Sequence, residues 1–262
     1  MPITFRSGAA TSATVMIDLQ PSWKLVWSDE FNGLAGAPVD PKSWDFDLGG
    51  GGWGNSELEV YTNSTENVFQ DGVGNLVIRA LKTAANTYTS ARIKTQGRLS
   101  FQYGRVEARI KIPYGQGIWP AFWMLGADIN TVGYPACGEI DIMENIGKEP
   151  GTVYGTVHGP GPSGSGGIGG LFSLAAGQRF ADAFHVYGIE WSPQSVVFLV
   201  DGAPYFEATP AKLPAGIAWV FQHPFFLILN VAVGGTWPGN PDATATFPQQ
   251  MLVDWVRVSQ RL

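Results

Sequence analysis

Apolar and polar positions alternate along much of the chain, and a period of two predicts strands rather than helices. In Gly104–Ile112, Val106, Ala108, Ile110 and Ile112 share one face, while Arg105, Glu107, Arg109 and Lys111 share the other. Such a segment is an antiparallel strand with one side on a core and one in water. Asn75–Ala80 (NLVIRA) and Met251–Ser259 read as further strands. Val196–Val200 and Pro204–Glu207 flank Asp201-Gly202, a dipeptide that supplies the positive φ of a tight hairpin turn. Phe225–Val233 (FFLILNVAV) is nearly all apolar, as befits a strand covered on both faces. No longer segment carries a convincing 3.6-residue stripe, and no internal repeat or charged linker interrupts the pattern. The expectation is all-β: a sandwich of two antiparallel sheets, residues 21–262 forming one domain and residues 1–20 an unassigned N-terminal extension.

Two glycine-rich stretches, Leu48–Gly54 and His158–Gly170, are predicted as loops. Both contain a G-x-G-x-x-G match, Gly164–Gly169 for one, but neither opens a helix in a βαβ unit, so a phosphate cradle is a weak reading. Loops of that length often wall a cleft.

Composition sharpens this picture. Of 262 residues, 45% are apolar and 15% charged, enough to bury a large core, and 34 glycines with 18 prolines favour short strands and turns. Net charge is −6 with no basic run, so a nucleic-acid partner has no electrostatic footprint, and a neutral polymer suits the surface better than an anionic one. Cys137 is the single cysteine, which excludes an intramolecular disulfide and a thiolate metal cluster. His158, His185 and His223 show no metal-ligand spacing, and no apolar run reaches the roughly 18 residues of a membrane span. The first residues lack the charged and apolar regions of a signal peptide. Ten tryptophans are many for this length; some belong to a core and some to a binding surface, and composition does not divide them.

The chemistry lies in Gly138–Asn145 (GEIDIMEN). Alternation puts Ile140 and Ile142 toward the core and Glu139 and Asp141 on the opposite face. Strict alternation would turn Glu144 inward, and an unpaired buried carboxylate is costly. A β-bulge near Ile142–Met143 resets the register and returns Glu144 to the face of the other two acids. Three acids side by side repel, so a structural account must invoke a solvated edge or a cation. The functional account is a retaining glycosidase, which needs one ionised and one protonated carboxyl roughly 5–5.5 Å apart. Glu139 then attacks the anomeric carbon, and Glu144 protonates the leaving oxygen and deprotonates the incoming water. Asp141 is placed to hydrogen-bond Glu139 and to raise the pKa of Glu144 by its charge. Upstream, Trp119 and Trp123 are four apart in GQGIWPAFWMLG and share a strand face, where they suit pyranose rings, although either alone could be core.

At these residues the sequence resembles glycoside hydrolase family 16, in particular its bacterial laminarinase (endo-1,3-β-glucanase) branch. The likeness extends over Ser28–Asn32, Glu57–Thr62, Thr89–Ile93, Tyr103–Pro113, Gly115–Gly126, Gly155–Gly161, Phe198–Gly202, Pro224–Gly239 and Pro248–Val258. It implies a β-jelly-roll with a concave substrate cleft, Glu139 as nucleophile, Asp141 as assisting acid and Glu144 as acid/base. Met143, the extra residue of E-x-D-x-x-E, is shared with laminarinases, agarases and κ-carrageenases rather than lichenases. Asn55, Arg92, Trp119, Trp123, His158 and Trp237 match positions that line the cleft. Catalysis needs no cofactor; a structural calcium is implied at Glu30, Gly74 and Asp254. The implied partner is an extracellular β-1,3-glucan, met by a secreted monomer acting without nucleic acid or membrane. Tyr134, Gln222-His223 and Val60 depart from the family pattern at loop level. The competing readings are a non-catalytic β-glucan-binding protein, which need not keep both glutamates, and a transglycosylase or agarase-like hydrolase on the same scaffold.

Overall fold

The computed structural model describes residues 22–84, 87–161 and 164–262, so the expected extension over residues 1–20 lies outside the described residues. Two open sheets stack as a β-jelly-roll, one of ten strands and one of seven, with nearly every pairing antiparallel. The seven-stranded sheet runs Gly164–Ser173, Thr152–Gly161, Glu139–Glu144, Ile118–Gly126, Phe225–Val233, Arg92–Lys94, Asp45–Asp47. The acidic segment is thus an interior strand, flanked on both sides.

Between the sheets lies the main core. Val106, Ala108 and Ile110 of the strand Gly104–Lys111 meet Phe122, Met124, Ile140, Leu227 and Leu229 from the facing sheet. Each buried Val, Ile, Leu, Met or Phe among them contributes about 1.5–3 kcal/mol by leaving water, which is what holds the two sheets together. Phe225–Val233 is buried along its whole length, as its apolar run predicts. Its odd-numbered positions enter the main core, Phe226 and Ile228 join a second cluster with Leu125 and Cys137, and Asn230 and Ala232 face the cleft. The hairpin at Asp201-Gly202 forms with φ of 50° and 78°, the left-handed pair a two-residue turn requires.

One expectation is corrected. Leu48–Gly54 is irregular apart from one isolated bridge, at Gly49, but His158–Gly170 is no loop: it belongs to the strands Thr152–Gly161 and Gly164–Ser173, which form the sheet edge. The glycines there serve close approach rather than turning. A Cβ on Gly170 would lie 2.5 Å from Phe206, and one on Gly155 would lie 2.4 Å from Phe198 and from the Tyr205 hydroxyl. The G-x-G-x-x-G match at Gly164–Gly169 is therefore strand and cradles no phosphate.

Candidate active site

The bulge forms where one misplaced acid demands it. Against Ile118–Gly126, Glu139, Ile140 and Asp141 pair with Leu125, Met124 and Trp123; the register then slips, and Met143 and Glu144 pair with Phe122 and Ala121. Against Thr152–Gly161, the slip falls between Asp141 and Glu144. Ile142, rather than Met143, is the extra residue against Ile118–Gly126. Ile140, Ile142 and Met143 all sink into the core, while Glu139, Asp141 and Glu144 line one cleft of about 390 Å³.

Trp119 Nε1 donates to Glu144 Oε1 at 3.0 Å. Behind it, Trp237 packs edge-on at 5.4 Å and also meets Tyr154 at 5.1 Å, so its role is to brace Trp119 as well as to present a partly exposed ring. Trp123 Nε1 donates to Asn230 Oδ1 at 2.8 Å, and the Arg92 guanidinium lies 4.6 Å over the Trp123 ring while pairing with Asp47 at 2.8 Å. Asn55 Nδ2 donates to Glu57 Oε1 at 2.9 Å. His158 Nε2 stands 3.2 Å from Asp141 Oδ2 and 4.0 Å from Glu139 Oε1. Asn55, Arg92, Trp119 and Trp123 thus line the cleft, and His158 faces the acids from the neighbouring strand.

Crowding and burial set the protonation. Burial first, then the charge of Glu139, pushes the Glu144 carboxyl up to about 7, opposed by the Trp119 N–H and His158. Burial and then Asp141 hold Glu139 well above the ordinary carboxylate range, with His158 and Arg92 pulling the other way. Asp141 is also raised, by burial and then by the charge of Glu144, with the neighbouring Glu139 carboxyl pulling the other way. Glu144 and Asp141 repel one another, as expected, but burial leads for both, and Glu139 adds a second charge that Glu144 feels. Three acids this close keep a proton among them, so one can act as an acid at neutral pH.

Trp53, Glu57 and Asn230 are among the cleft residues that sequence reasoning missed, as are Tyr134 and the small or aliphatic positions Gly54, Ala121, Leu125, Ile129 and Ala232. Asn230 had a signal, being the lone polar residue in FFLILNVAV, where a buried amide needs partners. Trp53 had none, since its loop carries no periodicity.

The positions expected to hold calcium, Glu30, Gly74 and Asp254, are not among the residues that line the cleft. Pairing of Asp29 with Val256 and of Leu76 with Val253 brings Glu30 and Gly74 to either side of a bulge at Asp254. The carboxylates there are engaged already, Glu30 by Arg257 at 2.9 and 2.8 Å and Asp254 by Arg109. A cation at that place would be held by main-chain oxygens, of which the bulge residue, outside the regular ladder, offers one. Among the described residues, the acids and imidazole close enough to share an ion are Glu139, Asp141 and His158, within 4.8 Å of one another.

Residues 55–257 match the model for glycosyl hydrolases family 16. A beta-glucanase of Rhodothermus marinus is 44% identical over 254 residues, covering 92% of this chain and 86% of that protein. Glucan endo-1,3-beta-glucosidase A1 of Niallia circulans is 39% identical over 260 residues, covering 89% of this chain but 37% of that longer protein. The X-ray structure of endo-beta-1,3-glucanase from Pyrococcus furiosus is 50% identical and superimposes with a TM-score of 0.85, covering 92% of this chain and 96% of that one.

Proposed function

The chain belongs to glycosyl hydrolase family 16, and on that premise we propose that it is a retaining endo-β-1,3-glucanase that cuts laminarin-type glucan by double displacement. The observation that carries the chemistry is the bulge at Ile142, which sets Glu139 and Glu144 on one wall of the cleft. Ionised Glu139 attacks the anomeric carbon while the glycosidic oxygen takes the proton of Glu144, leaving a glycosyl-enzyme. Glu144, now a carboxylate, removes a proton from water; that water attacks the same carbon and Glu139 departs. Asp141, the next residue on the same strand face, is placed to orient Glu139. The Trp119 and Trp123 rings offer apolar faces to pyranoses, with Asn55 and Arg92 to meet hydroxyls. Arg92, the guanidinium lining the cleft, is already paired with Asp47, so it leaves little to recognise a sulfate, which favours a neutral glucan.

Reducing-end release from laminarin, with lichenan and agarose alongside, tests the substrate. Release from laminarin whose first products carry the β configuration is the expected result. Binding without release from any glucan would replace the enzyme with a recognition protein, and release from agarose alone would move the specificity.

The polymer does not enter cells, which supports an extracellular site of action, and the cleft is complete within one chain, which supports a monomer. For the calcium at Glu30, Gly74 and Asp254 the expected outcome is thermal. Saturating calcium raises Tm by roughly 5 °C over EDTA, as a ligand at about 100 times its Kd adds about 2.7 kcal/mol. Equal melting in both sinks that site.

A further inference from the structure

Beside the cleft sits an acid that the proposed reaction does not use. Glu59, in the strand Glu59–Tyr61, is 1% exposed. Its Oε2 accepts the backbone N–H of Val233 at 2.7 Å. Its Oε1 is equally buried and meets no N–H or O–H donor. A buried carboxylate with an unmet oxygen is unfavourable, whereas a carboxyl with a proton on that side is a donor in need of an acceptor. The neighbouring Glu57 carboxyl, whose charge also bears on Glu59, is the acceptor available to it.

The side on which that proton resides follows from what else Glu57 does. Its Oε1 accepts from Asn55 Nδ2 at 2.9 Å and its Oε2 from the Tyr61 hydroxyl at 3.3 Å. With both Glu57 oxygens accepting, the shared proton resides on Glu59. The chain then continues to the cleft. The Tyr61 oxygen accepts from Asn230 Nδ2 at 3.0 Å, and Asn230 Oδ1 accepts from Trp123 Nε1 at 2.8 Å. Asn55, Glu57, Asn230 and Trp123 all line the cavity that holds the catalytic acids.

We propose that Glu59 is a positioning residue for glucan binding: its proton, shared with Glu57, holds the Asn55–Glu57–Tyr61 wall of the cleft in its binding geometry. This rests on the β-glucan reading above. Burial first, then Glu57, pushes the Glu59 carboxyl up to about 8, against the Val233 N–H. Other ionisable groups near the pair are the Tyr61 phenol, held well above its ordinary range, and Arg92, which pairs with Asp47. Below that pH the proton is present and the wall is set. As pH rises through it, two carboxylates face each other in a dry pocket, repel, and loosen Asn55 and Tyr61.

The test separates this from catalysis. In an E139Q background, which leaves substrate uncut, the Kd for laminarihexaose is measured by calorimetry at pH 6 and pH 9.5, with and without E59Q. The glutamine amide keeps the Val233 contact and donates to Glu57 at every pH. The expected result is a Kd that rises about tenfold in E139Q alone and stays within about twofold in E139Q/E59Q, a difference of about 1.4 kcal/mol per decade. Ionisations of Asp141 and Glu144 act equally in both and cancel. An equal rise in both chains, or none in either, overturns the positioning role and leaves the glucanase reading standing. No binding at pH 6 in E139Q overturns both. Carboxyl-carbon NMR gives a readout independent of the E59Q fold. A Glu59 titration above neutrality is expected, and one near the ordinary value of about 4.3 overturns the proposal.

Discussion

Glu139→Gln lowers laminarin hydrolysis by about 10⁴-fold or more, equivalent to some 5.5 kcal/mol of barrier, while oligosaccharide binding survives. The amide has the shape of the carboxylate but no charge with which to attack, so the glycosyl-enzyme does not form. Binding persists because the Trp119 and Trp123 walls are anchored elsewhere, on Glu144 and Asn230. Stability should not fall with activity. Glu139 and Asp141 each suffer from burial and from a neighbouring acid, and a neutral amide relieves that repulsion. The expected Tm is equal to or above that of the parent, which distinguishes lost chemistry from lost fold. In Glu139→Ala, azide entering the vacated face would attack the anomeric carbon and yield the inverted glycosyl azide. Substantial residual hydrolysis by Glu139→Gln, or an azide adduct of retained configuration, would assign the nucleophile elsewhere.

How much of this was legible in the sequence depends on the range of the interaction that fixes each feature. Alternation is local, so Val106, Ala108 and Ile110 and their polar neighbours announced both the strand and its buried face. The bulge was legible for a different reason: Glu144 was on the wrong face, and an unpaired acid in a core is a conflict with few remedies. The ribbon at His158–Gly170 was not, because glycine marks both turns and close backbone approach. Only the packing of Phe198, Tyr205 and Phe206 against it tells which applies. The environment of Glu144 was half legible. Its charged neighbours could be named in advance, but the depth of its burial, which dominates its protonation, depends on neighbouring strands and the Trp119 ring. The raised Glu59 carboxyl lay beyond reach, since it depends first on a depth of burial that the sequence around it does not show. Trp53 came from a segment with no regular pattern and joined the cleft through Arg92, which lies 5.1 Å over its ring.

Glu144→Gln lowers kcat/KM on laminarin by about 10²–10⁴-fold, the usual worth of a general acid, and removes the alkaline limb of the pH profile. The parent needs Glu144 protonated and Glu139 ionised in the free enzyme. With Glu144 raised to about 7, activity is present below that pH and is lost as pH rises through it. With Glu139 also raised, activity falls again on the acid side as its nucleophile takes up a proton. The parent profile is therefore a narrow bell whose limbs belong to the coupled acids rather than to either alone. An amide does not titrate, so the residual activity of Glu144→Gln should stay level through pH 7 while the acid limb remains. The leaving group supplies a second, independent check. An aryl glucoside with a strongly acidic phenol needs no proton on departure, so its first step is nearly unaffected in the variant. The second step still needs a base for water, and without Glu144 the glycosyl-enzyme accumulates. Rapid mixing should show one equivalent of phenolate released in a burst, followed by slow turnover. Persistence of the alkaline limb in Glu144→Gln, or the absence of the burst, would move the acid/base role to another group, and His158, 3.2 Å from Asp141, would be the next to examine.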